Sequence, residues 1–476
     1  MSGGTSRDGD CCSNRLGDNL GMLGLRIGSI VLALCSLLAG QGGTTEGQRP
    51  PNIVLLYADD AGYADFGFQE FCAADMKSLT PHIDSIASEG VTMTNAYMSG
   101  CVCSPSRAGM MTGRYQTRFG HEYNIPPGYM EGGLPLSETF MAKRLQPLGV
   151  TTSLVGKWHL GYPAEYHPNK RGFDWFYGCL QGSRSYFPMK RATKHRVIQE
   201  NGVATEEGGY TTDRLGDAGV RFINDNKEKP FFLFLSFTAP HGPLQAKDED
   251  LAKLAHIEPL KRRKYAGLVK ALDDNVGKVL QALQAAGLAG NTLVVFTNDN
   301  GGQTLTGANN GKLRGRKGSL LEGGIRVPMC MRWPGKIKAG TKIEDPVISL
   351  DFLPTFTAIA GGAVDPEWQL DGVNLMPRLT GAVSKLADRT LFWRQGKERA
   401  VRMGSHKMYV ADLPGGAAHE VFDLSQDVGE SEPLVDADAD VVAALEKALV
   451  DFDSEMVASK WGGGKRRNKK GKGKGK

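Results

Sequence analysis

The sequence predicts an α/β fold: a large, mostly parallel sheet flanked by helices, followed by a smaller C-terminal antiparallel sheet with one helix. Two patterns carry this. From Pro51 onward, short apolar and β-branched runs alternate with amphipathic stretches, and after Arg389 closely spaced short strands take over. A chain of 476 residues also exceeds what one small core organises.

Asn52 to Tyr57 (Asn-Ile-Val-Leu-Leu-Tyr) reads as a buried strand, as do Thr151 to Val155, Phe231 to Phe237 and Thr292 to Thr297. Between the last two, Tyr265, Leu268, Leu272, Val276, Val279 and Leu283 recur at helical spacing within 261–287, and Gly287 supplies a stop. Beyond Arg389, strands are expected over 391–393, 400–403, 407–410 and 420–424, with a turn at Leu413-Pro-Gly-Gly416. A helix over 440–456 closes this part. The resulting division is a main domain over 51–388, a subdomain over 389–460 and a basic tail over 461–476, expected to be disordered.

The apolar run from Ile27 to Gly40 follows Arg26 and precedes a polar linker over 41–50. It is shorter than the ~20 residues a membrane span needs, and it fits a cleaved signal peptide over 1–40. A start at Met22 would make that signal compact. The expectation is an exported protein, periplasmic or secreted, with no stable membrane span in the mature chain. Formal charge is +5, but residues 457–476 hold nine Lys/Arg and no acid, so the remainder stands at −4. The tail's lysines alternate with glycine rather than aromatic residues, which argues against nucleic acid as a partner.

The four strands share one feature: each runs directly into polar residues. These are Asp59-Asp60, then Lys157-Trp-His159, then His241 within Ala-Pro-His-Gly-Pro, then Asp299-Asn300. In open α/β sheets ligands bind at the carboxyl ends of the strands, so parallel neighbours would bring these groups together. Asp59, Asp60, Asp299 and Asn300 form an all-oxygen set suited to Ca²⁺ or Mg²⁺ rather than Zn²⁺. Lys157, His159, His241 and Lys317 would surround that cation with positive charge and proton donors, a site for sulfate or phosphate. His82, His167, His195, His256, His406 and His419 are read as structural.

Discarding the leader leaves five cysteines, an odd number: Cys72, Cys101, Cys103, Cys179 and Cys330. Cys103-Ser-Pro-Ser-Arg107, continued by Met110-Met-Thr-Gly-Arg114, resembles the signature of the type I sulfatases, the arylsulfatase group of the alkaline phosphatase superfamily. Further blocks resemble that family in its own order. They include Asp59-Asp-Ala-Gly-Tyr-Ala-Asp65, Val155-Gly-Lys-Trp-His-Leu-Gly161, Asn298-Asp-Asn-Gly301 and Lys317-Gly-Ser-Leu-Leu-Glu-Gly-Gly324. Asp65 sits in such a block without an assignable chemical role, and Trp158 is read as packing. Cys101 departs from the usual pattern, in which a non-cysteine stands there.

The resemblance implies a sulfatase hydrolysing a carbohydrate or aryl sulfate monoester. It implies that a dedicated maturase oxidises Cys103 to formylglycine before folding. Hydrated to a gem-diol, that residue offers one hydroxyl to attack sulfur and another to expel sulfate later. Carried over by position, Asp59, Asp60, Asp299 and Asn300 become ligands of a cation, Ca²⁺ in preference to Mg²⁺. Arg107 supports the formylglycine, Lys157 and Lys317 bind sulfate, His159 meets the formylglycine hydroxyl, and His241 faces the leaving oxygen. Two other readings stand beside this one: a phosphonate monoester or phosphodiester hydrolase of the same superfamily, and an anion-binding protein whose motif is never matured.

Overall fold

A computed structural model describes residues 49–413 and 416–462, with the side chains of 412–417 left out. The leader over 1–40 and the tail beyond Gly462 lie outside the described residues. Among the described residues no helix is long and apolar enough to cross a membrane.

Four expected strands form the middle of a ten-stranded sheet. They are β1 (Asn52–Ala58), β2 (Thr151–Lys157), β3 (Phe231–Ser236) and β4 (Thr292–Asn298). Their spatial order is β4-β1-β3-β2, every pairing parallel. Register aligns their carboxyl ends, since Tyr57 pairs with both Ser236 and Thr297, and Gly156 pairs with Ser236. Short outer strands complete the sheet: Cys330–Arg332, Val91–Met93 and Thr341–Ile343 beyond β4, and Trp175–Cys179, Gln199–Glu200 and Val203–Ala204 beyond β2.

Alternation along each strand divides the core between the two faces of the sheet. Ile53, Leu55 and Tyr57 enter one cluster with Phe232, Phe234, Leu293 and Val295. Val54, Leu56 and Ala58 enter the other with Leu233, Leu235, Val294 and Phe296. The motif helix α1 (Cys103–Thr112) packs Ala108, Met110 and Met111 on the first face. The long helix α2 (Leu260–Ala285) lays all six periodic residues, Tyr265 to Leu283, on the second. Its end is a Schellman motif: Gly287 at φ 69° donates to Gln284 O, and Leu288 N–H reaches Leu283 O at 2.9 Å.

The C-terminal strands form a separate four-stranded antiparallel sheet: β5 (Thr390–Gln395), β6 (Glu398–Met403), β7 (His406–Leu413) and β8 (Gly416–Asp423). Helix α3 (Ala439–Ser454) places Leu445 and Leu449 against Val401, Met408 and Val421. Trp393 on β5 packs its ring against that of Tyr97 at a tilt of 56° and donates its indole N–H to Met98 O at 2.7 Å, fixing this sheet to the main body. Trp461, at the expected start of the tail, is packed and donates to Tyr123 O.

One buried carboxylate on α2 lends itself to a stability test. Asp273 accepts from the backbone N–H of His82 and Ile83, capping the helix Pro81–Ser88. Burial pushes its pKa up to about 7, so the folded protein binds this proton where the unfolded chain has released it. The acid has a raised folded-state pKa, so its contribution weakens stability progressively as pH rises from about 4 to about 7. Asp273→Asn keeps one oxygen acceptor, turns an amide NH2 toward the other N–H, and removes the titration. Between pH 4 and pH 8 the parent's free energy of unfolding should fall by up to about 4 kcal/mol more than the variant's, as read by denaturant unfolding at the two pH values.

Candidate active site

Each chemical group stands where its strand ends. Asp59 and Asp60 follow β1, Lys157 is the last residue of β2, His241 lies in the loop after β3, and Asp299 and Asn300 follow β4. Cys103 opens α1. Pro105 sits in its first turn, where no N–H is needed from it.

The Cys103 thiol is buried and faces Asp59 Oδ1 at 3.6 Å, while Lys317 Nζ donates to its sulfur at 3.2 Å. Lys157 Nζ pairs with Asp59 Oδ2 at 2.6 Å, and Lys317 Nζ pairs with Asp60 Oδ1 at 2.7 Å. Arg107 binds Asp299 Oδ2 through Nε and a terminal nitrogen, at 3.2 and 3.0 Å. Its other nitrogen donates to Lys157 O and Ser236 Oγ, and its guanidinium lies over the Tyr57 ring. His241 Nε2 lies 3.5 Å from Asp60 Oδ2, while its Nδ1 sits 2.6 Å from Gly242 O.

Three carboxylates and three fixed cations thus balance in a buried cluster. Against burial, Arg107 and Lys157 hold Asp299 well below the usual carboxylate range. Lys317 and His241 likewise draw Asp60 down against its burial. Asp59 moves the other way, because burial and the neighbouring Asp299 outweigh Lys157. Burial, reinforced by Asp299, pushes the Cys103 thiol up to about 12, so at neutral pH it carries no thiolate.

The oxygen-ligand residues fit a hard divalent cation. Asp60 N–H donates to Asp299 Oδ1, and Asn300 Nδ2 donates to Asp60 Oδ1 at 2.9 Å, which ties the carboxylates and the amide together. Asn300 Oδ1 is buried with no hydrogen-bond partner among the described residues, an acceptor suited to a cation. Asp59, Asp60, Cys103 and His241 each offer a ligand atom within 4.8 Å of the others, so Cys103 and His241 border the same point. Asp60 and His159 hold positive φ angles of 66° and 62°, costing of order 1 kcal/mol each, which the packed surroundings sustain.

His159 borders the motif through its backbone. Its ring Nε2 lies 3.3 Å from Ile125 O, its Nδ1 has no partner among the described residues, and its link to the motif is its carbonyl, which accepts from Ser104 Oγ at 2.7 Å. Burial and Lys157 lower its pKa well below the usual value, leaving the imidazole neutral.

Several supporting residues escape the sequence reading. His121 Nε2 lies 2.6 Å from Ser104 Oγ, which donates to His159 O, so it completes a buried chain behind the motif. Asp65 accepts from Arg262, Tyr265 OH and Asn309 N–H, clamping the loops after β1 and β4. Asn310 bonds Gly302, Gly315 and Gly323, closing the loop that carries Lys317. Lys407 on β7 reaches across to Glu322 and Glu430, so the C-terminal sheet braces the same loop. Trp158 packs against Phe140 and Phe173, as expected. All five described cysteines are free thiols, and Cys101 donates to Gln395 at the end of β5.

The model of the Sulfatase family matches residues 51–363, which hold every residue of this constellation. The chain belongs to the sulfatase family. The C-terminal model of N-sulphoglucosamine sulphohydrolase matches residues 316–455 of this sulfatase, spanning the Lys317 loop and the antiparallel sheet. Human N-acetylgalactosamine-6-sulfatase is 31% identical over 481 residues, covering 88% of this chain and 90% of that protein. Mouse arylsulfatase J is 34% identical over 346 residues, covering 71% of this chain; the chain spans 56% of that relative. Among solved structures, Ps i-CgsB in complex with k-i-k-neocarrahexaose has a TM-score of 0.81 at 36% identity, covering 87% of this chain and 95% of that one. The sulfatase is therefore a sulfuric ester hydrolase of the arylsulfatase type acting on a sulfate ester.

Proposed function

We propose that this sulfatase removes sulfate from a carbohydrate sulfate monoester, using a formylglycine derived from Cys103 and a bound Ca²⁺. The observation that carries the reading is the convergence on Cys103 of Asp59 at 3.6 Å and Lys317 at 3.2 Å, with Lys157, Arg107 and Asp299 directly behind them. A thiol in that position would be a protonated, enclosed group, and a sulfur ester formed on it would resist hydrolysis. Its burial supports oxidation by a maturase before the chain folds. The apolar run over 27–40 supports export.

Asp59, Asp60, Asp299 and Asn300 would hold the cation, which supplies Lewis-acid charge at sulfate and nucleophile oxygens. Lys157 and Lys317 would hold the sulfate and bear the negative charge that grows on it. His241, partly exposed beside Asp60, would deliver a proton to the leaving sugar oxygen, with Lys317 close enough to share that task. The neutral imidazole of His159 would take up a proton when sulfate departs. Arg107 would keep Asp299 ionised and Lys157 oriented through its backbone oxygen.

Relatives named as N-acetylgalactosamine-6-sulfatase and the hexasaccharide complex of Ps i-CgsB support a saccharide over a simple phenol. The test is desulfation across a panel of sulfated mono- and oligosaccharides, alongside p-nitrophenyl sulfate and p-nitrophenyl phosphate. The expected result is a saccharide sulfate preferred by kcat/KM, with the phosphate ester cleaved far more slowly. A phosphate ester cleaved faster than every sulfate would overturn the reading.

A further inference from the structure

With residue 103 still a cysteine, the donors that meet at the site are not a calcium set. Cys103 Sγ, His241 Nε2 and one oxygen each from Asp59 and Asp60 all lie within 4.8 Å of one another. Two of the separations are shorter: Cys103 Sγ stands 3.6 Å from Asp59 Oδ1, and His241 Nε2 stands 3.5 Å from Asp60 Oδ2. A tetrahedral zinc ion, with bonds of about 2.3 Å to sulfur and about 2.0–2.1 Å to nitrogen or oxygen, spaces its ligands roughly 3.3–3.6 Å apart. Both separations are of that size.

The imidazole is already oriented for such a role. Its Nδ1 lies 2.6 Å from Gly242 O, and a carbonyl oxygen only accepts, so Nδ1 carries a proton. When the ring is neutral, the lone pair on Nε2 faces the Asp60 carboxylate, and two acceptors so placed call for a cation between them. Metal-bound histidines show the same arrangement, the second ring nitrogen donating to a backbone carbonyl or a carboxylate. The His241 side chain is 24% exposed, which gives an ion a way in from solvent.

Lys317 marks where that charge would sit. Its ammonium touches Cys103 Sγ at 3.2 Å and Asp60 Oδ1 at 2.7 Å. A metal ion among these donors would replace the ammonium, and Lys317 is the cation able to yield. Its side chain is 12% exposed, against 1% for Arg107 and 0% for Lys157, and the space beside neighbouring Gly318 is open.

We infer that the chain with an unoxidised Cys103 holds a thiophilic dication, Zn²⁺ in preference to Ca²⁺, on Cys103, His241, Asp59 and Asp60, and that oxidation of Cys103 to formylglycine abolishes this preference. Thiolate and imidazole favour zinc, whereas calcium takes oxygen ligands. On binding, the Cys103 thiol gives its proton to the buffer as the Sγ–Zn bond forms. Formylglycine puts oxygen where the sulfur was, leaving His241 as the one donor of the four that is not oxygen. A chain that folds before its cysteine is oxidised is thereby captured in a zinc form without a nucleophile. The inference deepens the formylglycine reading above and rests on it for the effect of oxidation.

The test compares the full chain produced with and without a formylglycine-generating maturase, with residue 103 verified by mass spectrometry in each. Zn²⁺ affinity is measured by competition with a chromophoric chelator, and Co²⁺ serves as the spectroscopic probe. The cysteine form should bind Zn²⁺ about a hundredfold or more tightly than the formylglycine form, and with Co²⁺ it should show a sulfur-to-metal charge-transfer band. Cys103→Ser should lose both the band and the added affinity, His241→Ala should lose about tenfold or more of the affinity, and Cys101→Ser should keep both. Equal Zn²⁺ affinity in the two forms, or a band that survives Cys103→Ser, would overturn the inference and leave the formylglycine reading intact. An active protein that keeps cysteine at position 103 and binds zinc through it would sink that reading and leave the zinc site standing.

Discussion

Cys103→Ala should abolish sulfate ester hydrolysis, by on the order of 10⁵-fold, while leaving the fold and metal content close to the parent's. The reason is positional. Cys103 is the group on which Asp59 and Lys317 converge, and among the described residues no other nucleophile-bearing side chain has that pair of partners. Cys103→Ser should be equally inactive in a host whose maturase accepts only cysteine. Cys101→Ser, two residues away, should stay near parent activity, because its thiol faces Gln395 and serine can make the same bond. Steady-state rates of the three variants check this directly, and a Cys103→Ala protein retaining more than a trace of turnover would remove residue 103 from the chemistry.

Arg107→Met should be the most damaging single change to stability within the site. Asp299 is fully buried, and Arg107 holds it through two hydrogen bonds. Removing the guanidinium takes away that carboxylate's two strongest partners, leaving it the Asp60 N–H and the more distant Lys157, and takes one donor each from Ser236 Oγ and Lys157 O, which still bond each other. Breaking one side of such a buried pair costs about 3–5 kcal/mol. Denaturant unfolding at neutral pH should show that loss, and the double variant Arg107→Met, Asp299→Asn should recover part of it, since no charge is then left alone. Activity would remain lost in both. An Arg107→Met protein as stable as the parent would mean that Asp299 finds its compensation elsewhere.

The site was legible where chemistry breaks a pattern. Apolar runs such as Phe231 to Phe237 end abruptly, and each gives way to a carboxylate, an amide, a lysine or a histidine. The parallel neighbour relation of β4, β1, β3 and β2 was only conditional in the sequence, because register is a long-range property that no local window contains. Outer strands as short as Gln199–Glu200 lack the length to show alternation at all. His121 and Asn310 were invisible for a different reason: each acts by holding another loop in place, and a lone histidine or asparagine in a loop carries no such sign. His159 illustrates the converse. Its motif position is clear, but its ring contacts depend on the left-handed turn at its own Cα and on the glycine facing it at 182. Lys407 and Glu322 needed the C-terminal sheet to dock before their pairing existed.

The chemistry proposed for this sulfatase turns on what residue 103 is in the working protein. Mass spectrometry of the proteolytic peptide containing it, from active protein purified from its native host, tests that directly. The expected peptide is about 18 Da lighter than the cysteine form, as sulfur and two hydrogens give way to one oxygen, and that position should be labelled by a hydrazide reagent. Unmodified, alkylatable cysteine at position 103 in a fully active preparation would contradict it.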